Sequence, residues 1–213
     1  AYFLRGSAEL ELGDYESAKA DFDKAISMDP KNYDRLIEIY EALADYGYRE
    51  VGQEYLQNVL NTDKKLDAYD SGRIYYYLGD YQKAYLALEE AKGKGGVDSY
   101  LYLGKAYAAT GDYNYASSVY SNYLSKQGPD AEIYNQLGLC EMAKKDYQKA
   151  LEAFQAGKQI EGNSLMQTLS FNEIVAYEYL QDYQKAAVLL KAYLQNYPDD
   201  QAAIREQQFL STR

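Results

Sequence analysis

The chain has 213 residues, 22 of them Lys or Arg and 33 Asp or Glu, for a formal net charge of −11. Such a surface repels phosphate backbones and anionic membranes, and no basic stripe offsets it, so the reading is against nucleic acid as a partner. There is no histidine and one cysteine, Cys140, which excludes an internal disulfide, Ser–His and Cys–His nucleophile pairs, and zinc sites built from imidazole or several thiolates.

Taken in chain order, the dominant feature is a string that returns. Leu12-Gly13-Asp14-Tyr15-Glu16-Ser17-Ala18 is followed by a weak copy, Tyr46-Gly47-Tyr48-Arg49-Glu50-Val51-Gly52. Strong copies follow at Leu78-Gly79-Asp80-Tyr81-Gln82-Lys83-Ala84 and Thr110-Gly111-Asp112-Tyr113-Asn114-Tyr115-Ala116. The last two are Lys144-Lys145-Asp146-Tyr147-Gln148-Lys149-Ala150 and Leu180-Gln181-Asp182-Tyr183-Gln184-Lys185-Ala186. The aspartate position falls at 14, 48, 80, 112, 146 and 182, in steps of 34, 32, 32, 34 and 36 residues. A fixed period in this range marks a repeat protein.

Each copy reads as a turn between two helices. Glycine ends the first helix because it tolerates positive φ, and aspartate starts the second by accepting backbone N–H groups. Apolar residues then recur at three- and four-residue spacing, as in Ala18, Phe22, Ala25 and Ile26. Stops between the units lie at Asp29-Pro30, Lys94-Gly95-Gly96, Gly128-Pro129, Gly162-Asn163 and Tyr197-Pro198. Small residues recur in the first helices (Gly6, Gly72, Gly104, Gly138) and early in the second (Ala18, Ala84, Ala116, Ala150, Ala186). Mid-helix glycine costs about 1 kcal/mol against alanine, a cost that fits close approach of the paired helices.

This pattern resembles the tetratricopeptide repeat, W-x2-L-G-x2-Y…A-x3-F…P over 34 residues. The fourth unit carries it best, as Tyr100-x2-Leu103-Gly104-x2-Tyr107 and Ala116-x3-Tyr120. The fifth has Tyr134-x2-Leu137-Gly138 and Ala150-x3-Phe154, and the first has Gly6, Ala18-x3-Phe22 and Pro30. The sixth keeps Tyr177, Ala186, Leu190 and Pro198 with Ile174 in place of glycine, and the second diverges most, with Tyr40 and Gly52 at the two small positions. The resemblance implies an all-α, right-handed solenoid of six helix-turn-helix units, at about 1–32, 33–64, 65–96, 97–130, 131–164 and 165–200. A C-terminal capping helix over 201–213 is expected, anchored by Ala203, Ile204 and Leu210. Arg5 and Glu9 stand where the pattern wants leucine and tyrosine, and their polarity reads as a cap on the N-terminal side.

Stacked units of this type form a concave surface from their first helices, and the resemblance implies that peptides or partner segments lie there. Its groove positions map onto Asp34, Ile37 and Glu41 in the second unit, then Tyr69, Arg73, Tyr76 and Tyr77 in the third. The fourth unit offers Leu101 and Lys105, the fifth Asn135, Leu139 and Met142, and the sixth Phe171, Val175, Glu178 and Tyr179. The map is apolar and aromatic, with acid near its beginning, which suits an apolar, aromatic or basic protein or peptide. The family's lysine-and-asparagine clamp on a C-terminal carboxylate does not fit: its positions hold residues such as Phe3, Ser7, Glu38, Leu66 and Asp70.

Of the 27 tyrosines, those at repeat positions, such as Tyr15, Tyr81, Tyr113, Tyr147 and Tyr183, read as packing residues, while Tyr69, Tyr76, Tyr77 and Tyr179 are open to a role as a contact cluster. Cys140 lies among apolar and small residues and reads as a buried structural thiol. Gly93-Lys94-Gly95-Gly96 lacks phosphate-loop spacing, and Asp21 with Asp23 lacks a calcium loop, so no cofactor or metal is expected. The reading is an adaptor or scaffold rather than an enzyme, with homodimerisation through tyrosines as the alternative. No stretch approaches the ~18 apolar residues of a membrane span. The sequence opens at Ala1, and a cytoplasmic adaptor and an exported, lipid-anchored one would share it.

Overall fold

The computed structural model describes residues 1–212. Among them are thirteen α-helices and no strand, divided into two compact units at Lys94–Gly95. The first unit holds three hairpins: α1 (Tyr2–Glu11) with α2 (Tyr15–Met28), α3 (Tyr33–Asp45) with α4 (Arg49–Thr62), and α5 (Ala68–Tyr77) with α6 (Tyr81–Glu90). The second holds α7 (Gly96–Ala109) with α8 (Tyr113–Gln127), α9 (Ala131–Ala143) with α10 (Tyr147–Lys158), α11 (Met166–Tyr179) with α12 (Tyr183–Asn196), and the single helix α13 (Gln201–Leu210). The capping helix foreseen over 201–213 thus ends at Leu210, and Arg213 lies outside the described residues.

The repeated string does two jobs at each hairpin turn. Its third residue closes the helix behind it: the Asp14 N–H donates to the Glu9 carbonyl at 2.8 Å and the Gly13 N–H to the Leu10 carbonyl at 3.0 Å. This is the paired bond pattern that ends a helix on a left-handed residue. The same closure recurs from Asp80 to Tyr75, Asp112 to Tyr107, Asp146 to Glu141 and Asp182 to Tyr177, and from Tyr48 to Leu43 in the weak copy. The aspartate carboxylate then accepts from the backbone N–H three residues on, at Ser17, Lys83, Tyr115, Lys149 and Lys185. Tyr48 makes no side-chain cap; its ring stacks on Tyr15, 4.1 Å between centroids.

Close approach explains the small residues. A methyl group added at Gly6 would lie 2.7 Å from the Phe22 ring, and one at Gly104 or Gly138 would overlap the rings of Tyr120 or Phe154. The second hairpin reverses the arrangement. Tyr40 occupies the glycine position of the first helix, and Gly52 on the second helix makes room for it, with an added methyl 2.9 Å from Tyr40 Cδ2. The divergent pair is therefore the same packing with the small and large partners exchanged.

Buried clusters run from hairpin to hairpin inside each unit. Leu10, Ala18 and Phe22 pack with Ile39 and Leu43, and Leu36, Tyr40 and Leu56 with Ile74. In the second unit Tyr120 packs with Ile133, Phe154 with Leu169 and Ala176, and Leu190 with Ala203 and Leu210 of α13. At the beginning of the first unit, Arg5 binds the Asp21 carboxylate across the hairpin and reaches Glu9 at 3.7 Å. These polar residues serve their own hairpin, while Leu4 on α1 and Leu12 at its C-terminal cap are 70% and 85% exposed. No helix of the described residues is long and apolar enough to cross a membrane.

Candidate functional site

In the first unit the foreseen residues of α5 meet α3 across the hairpins. Arg73 donates to Asp34 Oδ1 at 2.5 Å and to Asp70 Oδ1 at 2.6 Å, and its guanidinium lies over the Tyr69 ring at 4.5 Å. The Tyr77 hydroxyl donates to Glu41 Oε1 at 2.6 Å. Its ring meets Tyr40 edge-on at 5.3 Å and Tyr76 at 5.5 Å, and Tyr76 also leans on Tyr81. Tyr69, Tyr76 and Tyr77 are half-buried, so this face is an ordered tyrosine cluster rimmed by the exposed carboxylates of Asp34 and Glu41. Arg73 itself is buried. It holds the face together, and its charge is already matched by Asp34 and Asp70.

In the second unit the foreseen residues are spread along three first helices. Leu101 is in the core with Tyr120 and Ile133. Lys105 pairs loosely with Glu132 at 3.6 Å and lies near the Tyr102 ring. Asn135 is buried and accepts from Asn172 Nδ2 at 2.9 Å, an amide bridge from α9 to α11. Met142 packs against the Phe154 cluster, and Phe171 against Tyr193 at 5.7 Å. Val175 is half-buried, while Leu139 and Tyr179 are exposed, at 42% and 56%. Tyr179 stacks on Tyr147 with 4.9 Å between centroids. The residues that offer surface here are Lys105, Leu139, Val175 and Tyr179; Leu101, Asn135 and Met142 support them from below.

Models of the tetratricopeptide repeat match residues 1–32, 101–164 and 171–200. The chain belongs to the tetratricopeptide repeat family. No curated protein matches it. Among solved structures, PilW, described as a widely conserved type IV pilus biogenesis factor, is similar at a TM-score of 0.69 and 16% identity, over 98% of this chain and 96% of that one. The pilF protein of Pseudomonas aeruginosa is similar at a TM-score of 0.59 and 17% identity, over 100% and 96%. YrrB, described as a tetratricopeptide repeat protein with an unusual peptide-binding site, gives 0.57 and 21%, over 88% and 97%. At these identities the likeness shows the fold, a tetratricopeptide repeat along the chain.

The repeat map foresaw the positions on the first helices but not how many were already engaged with the protein itself. Arg73 and Asp34 are 39 residues apart, and Asn172 and Asn135 are 37 apart. Such pairs join one repeat to the next at similar helix positions, and a period of 32 to 36 is their only trace in the sequence. Glu206 of α13 was not foreseen at all. It faces Glu178 of α11, and with burial it raises the Glu178 carboxyl to about 7.

Proposed function

We propose that this chain is a protein-binding adaptor that holds a polypeptide on the first-helix faces of its hairpins. The observation that carries the reading is the face of α3 and α5. There Tyr69, Tyr76 and Tyr77 are fixed by contacts with Arg73, Glu41 and Tyr40, and the rim is acidic. Rings fixed in advance lose little freedom on contact, so they contribute area at small entropic cost. Carboxylates on the rim favour a partner with apolar or aromatic anchors and basic flanks. The peptide-binding site ascribed to YrrB supports such a use of the fold.

Site-directed photo-cross-linking tests this. A benzophenone amino acid is placed at Tyr76 or Leu139 on first helices, or at exposed Gln184 on a second helix. The reading expects adducts to a polypeptide from the first two positions and none from the third. Adducts from Gln184 alone, or equally from all three, would remove the first-helix faces as the site. Adducts whose mass is twice that of the chain would favour self-association instead.

A further inference from the structure

Near its C-terminal end the second unit leaves an open cleft of about 470 Å³ lined by Glu178 and Tyr179 of α11, Tyr183 of α12, and Glu206 and Phe209 of α13. Its walls are three aromatic rings and two carboxylates. Tyr183 and Phe209 meet edge-on at 6.4 Å, and Phe209 is 39% exposed. Glu178 Oε1 is shielded from solvent and meets only the carboxyl of Glu206, and among the described residues no lysine or arginine pairs with either acid. Among the described residues the buried acids Asp21, Glu141 and Glu173 and the half-buried Asp70 each have such a cation. Asp21 has Arg5, Asp70 has Arg73, Glu141 has Lys144 and Glu173 has Lys158. Here the two acids face each other: burial, then the charge of Glu206, then a carboxyl–carboxyl hydrogen bond to it all favour protonated Glu178, so the repulsion is felt once both are ionised.

We propose that this cleft binds an arginine side chain of a partner polypeptide. A guanidinium has donors enough for both carboxylates, and its flat face can lie on an aromatic ring while its charge relieves their repulsion. The chain already shows this pairing in itself, where Arg73 joins two aspartates and covers Tyr69. An ammonium group is more strongly hydrated and lacks the flat face, so lysine fits less well. A hard divalent cation asks for six or more oxygen ligands, and the two carboxylates of the cleft give at most four. The inference rests on the adaptor reading in one respect, that the ligand belongs to a polypeptide. It concerns different side chains from the Tyr76 face.

The test is an NMR titration of the full chain with Nα-acetyl-arginine amide, following the backbone amides of Glu178, Tyr179, Tyr183, Glu206 and Phe209. Saturable shifts in the millimolar range are expected, with binding at least about fivefold weaker for Nα-acetyl-lysine amide. The uncharged citrulline analogue should leave the same amides unmoved. Because bound guanidinium favours ionised Glu178, the affinity should rise between pH 6 and 8, and E206Q should lower it at pH 8 without loss of helix content. Absence of shifts at these residues, equal binding of citrulline, or unchanged affinity in E206Q would overturn the proposal. Equal binding of lysine would overturn its choice of guanidinium. A negative titration leaves the cross-linking result at Tyr76 standing, whereas adducts missing there beside a positive titration would move the adaptor reading to this cleft.

Discussion

At the scale of single residues, Glu178 is where the fold works against itself. Its carboxyl rises from 4.5 to about 7, through burial first and the facing Glu206 second. A raised acid pKa means that the folded state holds the proton more tightly than the unfolded one. Raising the pH from 4.5 to 7 therefore lowers stability, and the full penalty is present above 7. E206Q removes the charged neighbour. Partial exposure of Glu178 discounts the effect, so the variant should be more stable than the parent by about 1 kcal/mol at pH 8, with no difference near pH 4.5. Denaturant unfolding at the two pH values measures this, and equal midpoints at pH 8 would count against it. Cys140 behaves in the opposite sense, as an inert group. Burial, then the charge of Glu141, lifts its thiol to about 11 against the smaller opposing pull of Lys144. The native chain at pH 7.5 should react with iodoacetamide roughly a hundredfold more slowly than the chain in denaturant. Similar rates in both would show that the helix opens readily at this point.

At the scale of elements, the turn chemistry is the most legible part of the molecule. Glycine and aspartate at a fixed offset specify a left-handed stop and a cap through local bonds alone, and the structure makes those bonds at Gly13–Asp14, Gly79–Asp80 and Gly111–Asp112. In the fifth and sixth hairpins the glycine place holds Lys145 and Gln181, yet they adopt the same conformation, with φ of 65° and 62°. A Cβ in that region costs of order 1 kcal/mol. K145G and Q181G should therefore each stabilise the chain by up to about 1 kcal/mol, less what glycine adds to the freedom of the unfolded chain. A rise in thermal midpoint for each, nearly additive in the double variant, checks this; a fall would mean that the side chains are held by contacts worth more than the strain. The second hairpin was harder to read for the same physical reason. Tyr40 against Gly52 depends on which helix yields space, and the sequence shows two unusual residues without showing that they face each other.

At the scale of the whole molecule, periodicity tells which helices pair and, inside each unit, which face is shared, because a repeat packs on its neighbours alone. It does not tell how that face is spent. Arg73 and Asn135 stand at positions that the repeat assigns to a partner, but they bind Asp34 and Asn172 of adjacent hairpins instead. The C-terminal cleft was illegible because it exists only once α13 has docked and brought Glu206 to Glu178. That docking is itself thin. α13 contributes Ala203 and Leu210 to a core shared with α12, whereas α9 and α10 bury Ile133, Cys140, Leu151 and Phe154 between hairpins on both sides. In a chain of nearest-neighbour interfaces, a terminal helix with one neighbour opens at lower free energy than a hairpin with two. Amides of α13 should thus exchange with deuterium at least about tenfold faster than those of α9 and α10. An arginine ligand bridging Glu178 and Glu206 ties α13 to α11, so it should slow exchange in α13 while leaving α9 unchanged. Equal protection of α13 and α10 without ligand would mean that the cap and the hairpins open as one body, and that the cleft is as fixed as the core beneath it.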